Sequence, residues 1–294
     1  MKISGLIGDP VEHSVSPILF KELSELCHIE YSHVKIRIPK ENGRALNRAI
    51  SAMRGLNFVG FNVTLPYKIE IMKYLDEIDQ SARSVGAVNT VVNKDGRLIG
   101  YNTDEYGAIS TIEQNFGKIR TSDNVVIFGA GGASRAVLSG LQKSTKNITV
   151  FNRSKRRLEI LQKDFSSSEL ILDCFSLSEL EQHLDRLLDA DLIINTTSVG
   201  MHPDDGGSII PSHILSKIML ANNSKGKKFF DVVFNPVDTE FLKQSRKISG
   251  AKAVGGLQMM IYQGIKAFEL WTGKKVPDFN IHKMEIKLER AING

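Results

Sequence analysis

The sequence predicts a two-domain α/β protein, and three observations carry that prediction. Short runs of β-branched and aromatic residues alternate with segments of helical periodicity along nearly the whole chain. One such run, residues 125–128, leads directly into a glycine-rich turn at residues 129–132 and then into a helix-compatible segment. The length of 294 residues suffices for two hydrophobic cores. Strands that alternate with helices favour mainly parallel sheets.

The first hundred residues are predicted to form one such alternation. Residues 2–7 read as a buried strand, and Pro17 at a helix N1 position with Ser16 as its N-cap predicts a helix next. Further strands are predicted at residues 31–38, 59–65, 87–92 and 98–101, and further helices at residues 43–53, at residues 67–75 and after residue 104. The turn at residues 93–96 joins the last two strands as a hairpin, so we expect one antiparallel pair in this sheet.

From residue 125 the alternation restarts and continues to a last long helix. Strands are predicted at residues 125–128, 148–152, 170–173, 192–195, 228–234 and 252–254. Helices are predicted at residues 133–141, 156–165, 177–188, 211–216, 241–249 and 257–271. The unit that carries the glycine-rich turn therefore comes second in the chain.

Composition and charge exclude several classes of protein. Hydrophobic residues make up 41% and charged residues 24% of the chain, as in ordinary globular proteins. The net charge of +5 is too small to indicate nucleic acid, although it suits an anionic ligand. No apolar run approaches the roughly 18 residues that a membrane span needs, and no signal-peptide core is recognisable. Because the two cysteines are in unrelated contexts and the seven histidines lack metal-ligand spacing, we expect a cytoplasmic protein without a catalytic metal.

The stretch at residues 125–136 has the form of a dinucleotide-binding corner. Glycines let the backbone turn sharply and approach a pyrophosphate, and the start of the following helix offers free N–H groups. Ser134 stands where the usual G-x-G-x-x-G pattern has its third glycine. The alternative is a purely structural corner between a strand and a helix.

The next predicted strand ends in the segment Phe-Asn-Arg-Ser-Lys-Arg-Arg at residues 151–157. An Asp or Glu at this place would hold the ribose hydroxyls of NAD, and none is present. Arg153 can clamp a phosphate, and Ser154 can donate a hydrogen bond to it. The segment therefore favours NADP over NAD, whereas the alternative is a solvated basic helix start.

Polar side chains also cluster where predicted strands of the first domain begin or end. Asn62, Thr64 and Lys68 follow one strand, Asp104 follows another, and Asn89 lies at the start of a third. Open α/β sheets bind ligands at the carboxyl ends of their strands, so these side chains are candidates for a substrate site. The alternatives are an ordinary surface lysine and a cap of the helix that follows Asp104.

Taken together, these fragments resemble the shikimate dehydrogenase family over nearly the whole chain. The matching fragments, in the order of the family, are His13-Ser14-Val-Ser16-Pro17, Asn62-Val-Thr64-Leu-Pro66-Tyr-Lys68, Gly86-Ala-Val-Asn89-Thr90, Asn102-Thr103-Asp104, Gly129-Ala-Gly-Gly-Ala-Ser134, Asn152-Arg153-Ser154, Asn195-Thr-Thr-Ser-Val-Gly-Met201 and Gly255-Gly-Leu-Gln-Met259-Met-Ile-Tyr-Gln263. The resemblance implies a mainly parallel α/β substrate domain of residues 1–104, completed by residues 257–294, and a Rossmann-type NADP-binding domain of residues 105–256. It also implies a cleft between the two domains.

The resemblance further implies a role for each of the matching residues. Ser14 and Ser16 would bind the carboxylate of shikimate. Lys68 and Asp104 would be the catalytic residues at the hydroxyl that is oxidised, with Lys68 either as the proton donor itself or as a charge stabiliser. The residues implied to hold the ring hydroxyls are Thr64, Asn89, Asp104 and Gln263.

The implied cofactor residues lie in the second domain. The pyrophosphate would lie on Gly129, Ala130, Gly131, Gly132 and Ala133, and the 2′-phosphate would lie at Asn152, Arg153, Ser154, Lys155, Arg156 and Arg157. Val232 and Gly256 would border the nicotinamide. Thr196 and Met259 would be the remaining cofactor-binding residues.

Three positions depart from the pattern of the family. Phe234 stands at a substrate-binding position where a Tyr is usual, Phe20 replaces a usual His, and Glu105 replaces a usual Gly. We therefore expect reduction of 3-dehydroshikimate to shikimate with NADP, in chorismate and aromatic amino-acid synthesis, by a monomer or a homodimer. The alternatives are a quinate/shikimate dehydrogenase with broader use of ring acids or cofactors, and an NADP-sensing regulatory protein without catalysis.

Overall fold

The computed structural model describes residues 1–40, 45–166, 170–221 and 226–293. The chain divides into two compact units, of which unit 1 is Met1–Gly107 with Ile261–Gly294 and unit 2 is Ala108–Met260. Among the described residues, no helix is both long enough and apolar enough to cross a membrane.

Strands and helices alternate through both units. The described strands are β1 (Lys2–Gly8), β2 (Tyr31–Arg37), β3 (Gly60–Val63), β4 (Glu77–Ile78), β5 (Thr90–Lys94), β6 (Arg97–Tyr101), β7 (Asn124–Phe128), β8 (Asn147–Asn152), β9 (Ile171–Ser176), β10 (Leu192–Asn195), β11 (Lys228–Asp231) and β12 (Lys252–Val254). The described helices are α1 (Ser16–Leu26), α2 (Ala45–Gly55), α3 (Gln80–Val85), α4 (Asp104–Phe116), α5 (Gly132–Leu141), α6 (Lys155–Phe165), α7 (Leu184–Leu188), α8 (Ser212–Leu220), α9 (Glu240–Ser245), α10 (Leu257–Thr272) and α11 (Ile281–Asn293).

Unit 1 is built on a six-stranded sheet with the order β2-β1-β3-β5-β6-β4. The predicted hairpin is confirmed, because β5 and β6 pair antiparallel through the turn that contains Gly96. The prediction of a single antiparallel pair is wrong, because β5 also runs antiparallel to β3 on its other side. The remaining neighbours, β1 with β2, β1 with β3 and β4 with β6, are parallel.

The helices of unit 1 bury apolar faces, but two predicted starts differ from the structure. Helix α1 has Pro17 in its first turn, as predicted, yet Val15 is its N-cap and the prediction of Ser16 at that position is wrong. The predicted helix at residues 67–75 begins as a turn and contains only the short 3-10 helix Glu70–Tyr74. Residues 43 and 44 of the second predicted helix lie outside the described residues, and α2 covers the rest of that prediction.

Unit 2 is built on a second six-stranded sheet in which every pairing is parallel. Its order is β12-β11-β10-β7-β8-β9, which is 3-2-1-4-5-6 when the strands are counted from β7 and the sheet is read from β9. Alternate residues of β7 enter two different hydrophobic clusters, with Val125 and Ile127 in one and Val126 and Phe128 in the other. Both faces of this sheet are therefore covered, as expected for a parallel sheet between helices.

Candidate active site

The ion pair between Lys68 and Asp104 is the centre of the polar cluster in unit 1. The Lys68 ammonium donates to Asp104 Oδ2 at 2.6 Å, and the two side chains are only 22% and 11% exposed. Lys68 follows β3 in a turn that is fixed by a bond from Val88 N–H to the Lys68 carbonyl at 2.8 Å. Asp104 is the first residue of α4. The sequence predicted both residues, and the structure brings their charged groups into direct contact.

Asn89 connects this ion pair to the rest of the cluster. Its side-chain amide donates to Asp104 Oδ1 at 2.7 Å and to Gln263 Oε1 at 3.5 Å. The side-chain oxygen Oδ1 of Asn89 accepts from the backbone N–H of Thr103 at 2.8 Å. Four predicted residues from four separate chain segments thus form one hydrogen-bonded group: Lys68, Asn89, Asp104 and Gln263.

Two residues that the sequence did not assign to the site hold this group in place. Asn102 accepts from the backbone N–H of Asp104 at 3.0 Å and donates to the Ala87 carbonyl at 3.0 Å, so it caps α4 and fixes the start of that helix. Thr103 donates to Gln263 Oε1 at 3.3 Å. Both residues belong to the fragment Asn102-Thr103-Asp104, and their polar side chains beside Asp104 were the signal available in the sequence.

Ser14 and Ser16 lie together at the start of α1. The Ser14 hydroxyl donates to Ser16 Oγ at 3.0 Å and accepts from the backbone N–H of Ser16 at 3.2 Å. Behind them, His33 Nε2 lies 3.3 Å from Ser16 Oγ. The structure therefore brings the two predicted serines together, and adds a buried histidine that the sequence did not point to.

Thr64 and Phe234 have no hydrogen bond to the residues of the cluster. Thr64 follows β3, and its backbone N–H bonds to the Ile7 carbonyl at 2.9 Å. Phe234 belongs to unit 2, after β11, where it is partly exposed. Glu105, which replaces a usual Gly, is partly buried in the first turn of α4, and its backbone N–H bonds to Asn102 Oδ1 at 3.4 Å.

The glycine-rich turn of unit 2 lies between β7 and α5. Gly129 has a φ of +115°, and a Cβ there would meet Thr196 Oγ1 at 2.5 Å, so both the backbone and the close neighbour require glycine. Gly131 is the N-cap of α5. A Cβ on Gly131 or Gly132 would meet nothing within 4 Å, so open space lies in front of the helix start.

Ser134, in place of the third glycine of the pattern, is fully buried, and its hydroxyl donates to the Gly129 carbonyl at 2.7 Å. This bond closes the turn from inside. The neighbouring Thr196 donates to the Phe128 carbonyl at 2.6 Å, so its hydroxyl proton is held by the end of β7. The departure at Ser134 thus supports the turn that the other glycines form.

The basic segment follows β8 and leads into α6. Asn152 donates to the Ser154 carbonyl at 3.1 Å, and Ser154 is the N-cap of α6. The cationic side chains of the segment are exposed, and none of them has an ion pair with another described residue: Arg153, Lys155, Arg156 and Arg157. Their charges lie on one end of a helix, beside the sheet edge that carries the glycine-rich turn.

Val232 and Gly256 contact each other in unit 2. A Cβ on Gly256 would lie 2.1 Å from the Val232 carbonyl oxygen, so this approach is possible only for glycine. Met259, one turn further on in α10, is buried in the core cluster of the same unit.

Among the described residues, no group of three or more His, Cys, Asp or Glu side chains could hold a metal ion.

A buried carboxylate that the sequence did not single out orders the loop after β10. Asp231 Oδ1 accepts from the Asn195 amide at 3.0 Å, and Oδ2 accepts from Thr239 at 2.6 Å. Burial raises the pKa of Asp231 to about 6, against the lowering effect of these bonds. Asn195 in turn accepts from the hydroxyl of Thr197 at 2.7 Å. The segment that contains Thr196 is therefore held in place by hydrogen bonds to Asn195, which Asp231 orients.

The strand order of unit 2 and the glycine-rich turn after its first strand define an α/β protein of the dinucleotide-binding class. The chain belongs to the shikimate dehydrogenase family. Three family profiles match it: "Shikimate dehydrogenase substrate binding domain" at residues 6–91, "Shikimate / quinate 5-dehydrogenase" at residues 110–234 and "Shikimate 5'-dehydrogenase C-terminal domain" at residues 256–284. The family predicted from the sequence fragments is confirmed.

Relatives of known identity match the chain over almost its full length. A shikimate dehydrogenase (NADP(+)) of Methanococcus maripaludis (strain C7) is 41% identical over 97% of this chain and 96% of the relative. A crystal structure of a shikimate dehydrogenase in complex with NADP+ is 39% identical, with a TM-score of 0.83 over 100% of this chain and 95% of the other. The Thermus thermophilus enzyme, solved with NADP(H) and shikimate, is 31% identical, with a TM-score of 0.80 over 100% and 99%. The predicted fold class, two α/β units with a Rossmann-type sheet, is confirmed.

Proposed function

We propose that this protein reversibly reduces 3-dehydroshikimate to shikimate with NADP, as a step of chorismate and aromatic amino-acid biosynthesis. The observation that carries the proposal is the partly buried Lys68–Asp104 ion pair at 2.6 Å, which Asn89 holds from behind. The full-length match to NADP-dependent shikimate dehydrogenases supports it further.

Lys68 and Asp104 perform the proton chemistry of this reaction. When bound, the nicotinamide supplies or accepts the hydride at the ring carbon. As a carbonyl is reduced, negative charge develops on its oxygen, and an ammonium at hydrogen-bond distance stabilises that charge and carries a proton for it. Asp104 orients the Lys68 ammonium through the ion pair at 2.6 Å, and Asn89 keeps the Asp104 carboxylate in place through its bond at 2.7 Å.

The other polar residues of unit 1 bind the substrate. Ser14 and Ser16 present two hydroxyls at the start of α1 for the carboxylate of the ring acid. Asn89 and Gln263 already contact each other beside the ion pair, and with Thr64 they hold the ring hydroxyls. These contacts support the proposal that residues 1–104, together with the C-terminal segment 257–294, bind the substrate.

Residues 105–256 bind the cofactor. The residues present fit a dinucleotide, because the space in front of Gly131 and Gly132 is open and would be occupied by any larger side chain. The pyrophosphate would be held by Gly129, Ala130, Gly131, Gly132 and Ala133, and the remaining contacts would come from Thr196, Val232, Gly256 and Met259. The 2′-phosphate of NADP would lie at Asn152 and Ser154 with the cations Arg153, Lys155, Arg156 and Arg157, none of which is paired with another described residue.

Phe234 is the reason to keep a broader specificity as the second candidate. A phenylalanine cannot donate the hydrogen bond that a tyrosine hydroxyl would, which costs about 1 kcal/mol of substrate binding. One of the matching family profiles covers both shikimate and quinate dehydrogenases. An enzyme that also accepts quinate is therefore the alternative.

Initial rates with shikimate and quinate, each with NADP and with NAD, test the proposal. We expect the highest kcat/KM with shikimate and NADP, because the basic segment at residues 153–157 suits the 2′-phosphate. Activity with quinate alone would overturn the assignment of the substrate. Absence of activity with either acid would favour a regulatory protein that binds NADP without catalysis.

A further inference from the structure

A row of hydrogen-bonded polar side chains leads to Ser16 at the start of α1. Its members, in order, are Tyr31, Ser4, His33 and Ser16. His33 lies in its middle and is only 8% exposed. Its Nδ1 lies 2.6 Å from Ser4 Oγ, and its Nε2 lies 3.3 Å from Ser16 Oγ. At the far end, the Tyr31 hydroxyl donates to Ser4 Oγ at 2.5 Å. Nothing in the reaction chemistry described above uses Ser4, Tyr31 or His33.

The ring of His33 is neutral in this environment. Phe20 packs against it with ring centroids 4.3 Å apart, and Trp271 lies on it at 6.0 Å. Burial lowers the pKa of His33 to about 3. A neutral imidazole has one N–H donor and one acceptor nitrogen, and the bond made by one nitrogen decides the role of the other.

The far end of the row determines which nitrogen carries the proton. Burial raises the pKa of Tyr31, so its phenol keeps its proton and donates it to Ser4. Ser4 is fully buried, and among the described residues His33 Nδ1 is the one recorded acceptor for its proton, so Ser4 accepts from Tyr31 and donates to His33 Nδ1. The ring proton is therefore on Nε2, and His33 donates to Ser16 Oγ.

Ser16 consequently has its acceptor sites filled. A serine oxygen has two lone pairs, and here it receives donors from His33 Nε2 and from the Ser14 hydroxyl at 3.0 Å. Within the described part of the chain, no carbonyl or carboxylate oxygen accepts the Ser16 proton. The Ser16 hydroxyl can then act only as a donor, which is what a bound carboxylate requires.

We infer that His33 is a positioning residue for substrate recognition. Held as its Nε2–H tautomer by Ser4 and Tyr31, it makes Ser16 an obligatory donor and thereby selects a ring acid with an ionised carboxylate over its neutral analogues. This inference rests on the proposed function, because it takes the carboxylate of the substrate as the partner of Ser16. The row of dipoles points the same way along its length, so each bond strengthens the next.

The test compares shikimate with its methyl ester, which keeps the ring and its hydroxyls but has no carboxylate charge. His33→Phe keeps an aromatic ring against Phe20 and removes the hydrogen-bond donor. We expect KM for shikimate to rise about tenfold to a hundredfold, the range for loss of the hydrogen bond from Ser16 to the charged carboxylate. The expected kcat and the KM for NADP stay within about twofold, and the KM for the ester changes little.

Three further variants separate positioning from packing. The side chain of Gln places an amide N–H near the position of Nε2, so His33→Gln is expected to recover most of the lost affinity for shikimate. Ser4→Ala removes the donor to Nδ1 and allows the ring proton to move there, so KM for shikimate is expected to rise although Ser4 does not contact Ser16. Phe20→Leu changes the packing on His33 without a change in hydrogen bonding, and we expect it to affect both substrates equally.

In the His33 variants, three outcomes would overturn the inference: an unchanged KM for shikimate in His33→Phe, an equal loss for shikimate and its ester, or a Gln variant no better than Phe. An unchanged KM in Ser4→Ala would overturn the assigned tautomer and with it the role of His33. If His33→Phe does not fold, as judged by its thermal transition, Ser4→Ala and His33→Gln carry the same test. A wild-type protein that does not oxidise shikimate would contradict the proposed function itself, whereas an active wild type with unaffected variants contradicts only the inference.

Discussion

At the scale of single residues, one ammonium group, that of Lys68, is proposed both to stabilise the developing negative charge and to carry the proton. We expect Lys68→Ala to lower kcat at least about a hundredfold, because both the charge stabilisation and the proton at the reacting oxygen are lost. Binding of NADP, measured by fluorescence of the reduced cofactor, is expected to stay unchanged, because Lys68 lies outside the segments assigned to the cofactor.

Lys73→Ala is the matched control for this variant. Lys73 is an exposed lysine in the 3-10 helix that follows Lys68, so its loss removes the same charge from the same part of the chain. We expect it to keep the wild-type kcat. Near-normal turnover in Lys68→Ala would show that this lysine is not the catalytic group.

His33 gives a prediction about stability and pH. The unfolded chain binds a proton at His33 below about pH 6.5, whereas the folded protein binds it only near pH 3. A lowered pKa in the folded state stabilises the protein above the unfolded value, and this contribution is lost as the pH falls. Between pH 7 and pH 5 the loss amounts to about 2 kcal/mol of the free energy of unfolding.

Urea unfolding of the wild type and of His33→Gln at both pH values checks this contribution. Other titrating groups are present in both proteins and cancel in the comparison. We expect the wild type to lose about 2 kcal/mol more than the variant on acidification. Equal losses would mean that His33 accepts a proton in the folded protein, which would also contradict its neutral role behind Ser16.

Single residues also show what the sequence could predict and what it could not. Lys68 and Asp104 were recognisable from the fragments around them, but their contact across 36 residues depends on the pairing of β3 and β6 with β5. His33 gave no signal, because a lone histidine in a strand of mixed polarity has no pattern that points to a buried hydrogen bond. Ser16 was predicted as a helix cap, and its hydroxyl instead faces His33.

At the scale of elements, we expect two glycines of the turn between β7 and α5 to have different roles, one in the stability of the fold and the other in cofactor binding. Gly129 has the left-handed φ and the close contact with Thr196, so Gly129→Ala is expected to destabilise the fold by about 1–3 kcal/mol. Gly131 has an ordinary φ of −96° and open space in front of it. We expect Gly131→Ala to keep the thermal stability and to raise KM for NADP at least about tenfold, because its methyl group occupies the place of the pyrophosphate.

Gly206→Ala is the control for Gly131→Ala. Gly206 lies in an exposed loop of the same unit, and a Cβ there also meets nothing within 4 Å. Thermal melting and the KM for NADP of the three variants form the measurement. A Gly131→Ala protein with wild-type affinity for NADP would remove the pyrophosphate from this turn.

Two of the elements that the sequence missed, β4 and α3, share a physical cause. Strand β4 has two residues and α3 has six, and neither is long enough to establish a period of two or 3.6. Their positions are fixed by neighbours instead, since β4 pairs with β6 and Asp79 caps the start of α3 by accepting from Ser81 N–H at 2.9 Å. By contrast, β7 and α5 were predicted well, because a run of apolar residues, a glycine turn and a helix start reinforce each other locally.

At the scale of the whole molecule, the chain gives its two units different tasks. The polar cluster around Lys68 is formed by residues of unit 1 alone, including Gln263 from the C-terminal part. The glycine-rich turn and the basic segment after β8 lie in unit 2. The chain passes between the units inside α4 and inside α10, so a helix contributes to each unit at both crossings. We therefore propose that each unit binds one of the two ligands.

Hydrogen exchange measured by mass spectrometry tests this division of tasks. NADP alone is expected to slow exchange in unit 2, at the turn of residues 129–134 and at residues 152–157, because bound ligand suppresses local opening. Addition of 3-dehydroshikimate to the complex with oxidised NADP, a pair that cannot exchange hydride, is expected to slow exchange around residues 14–16, 64–68 and 89–104. Gly131→Ala should lose the first effect at NADP concentrations that saturate the wild type. Slower exchange at residues 14–16 with NADP alone would contradict the assignment, because that segment is built to hold the carboxylate of the substrate and has no open turn for a pyrophosphate.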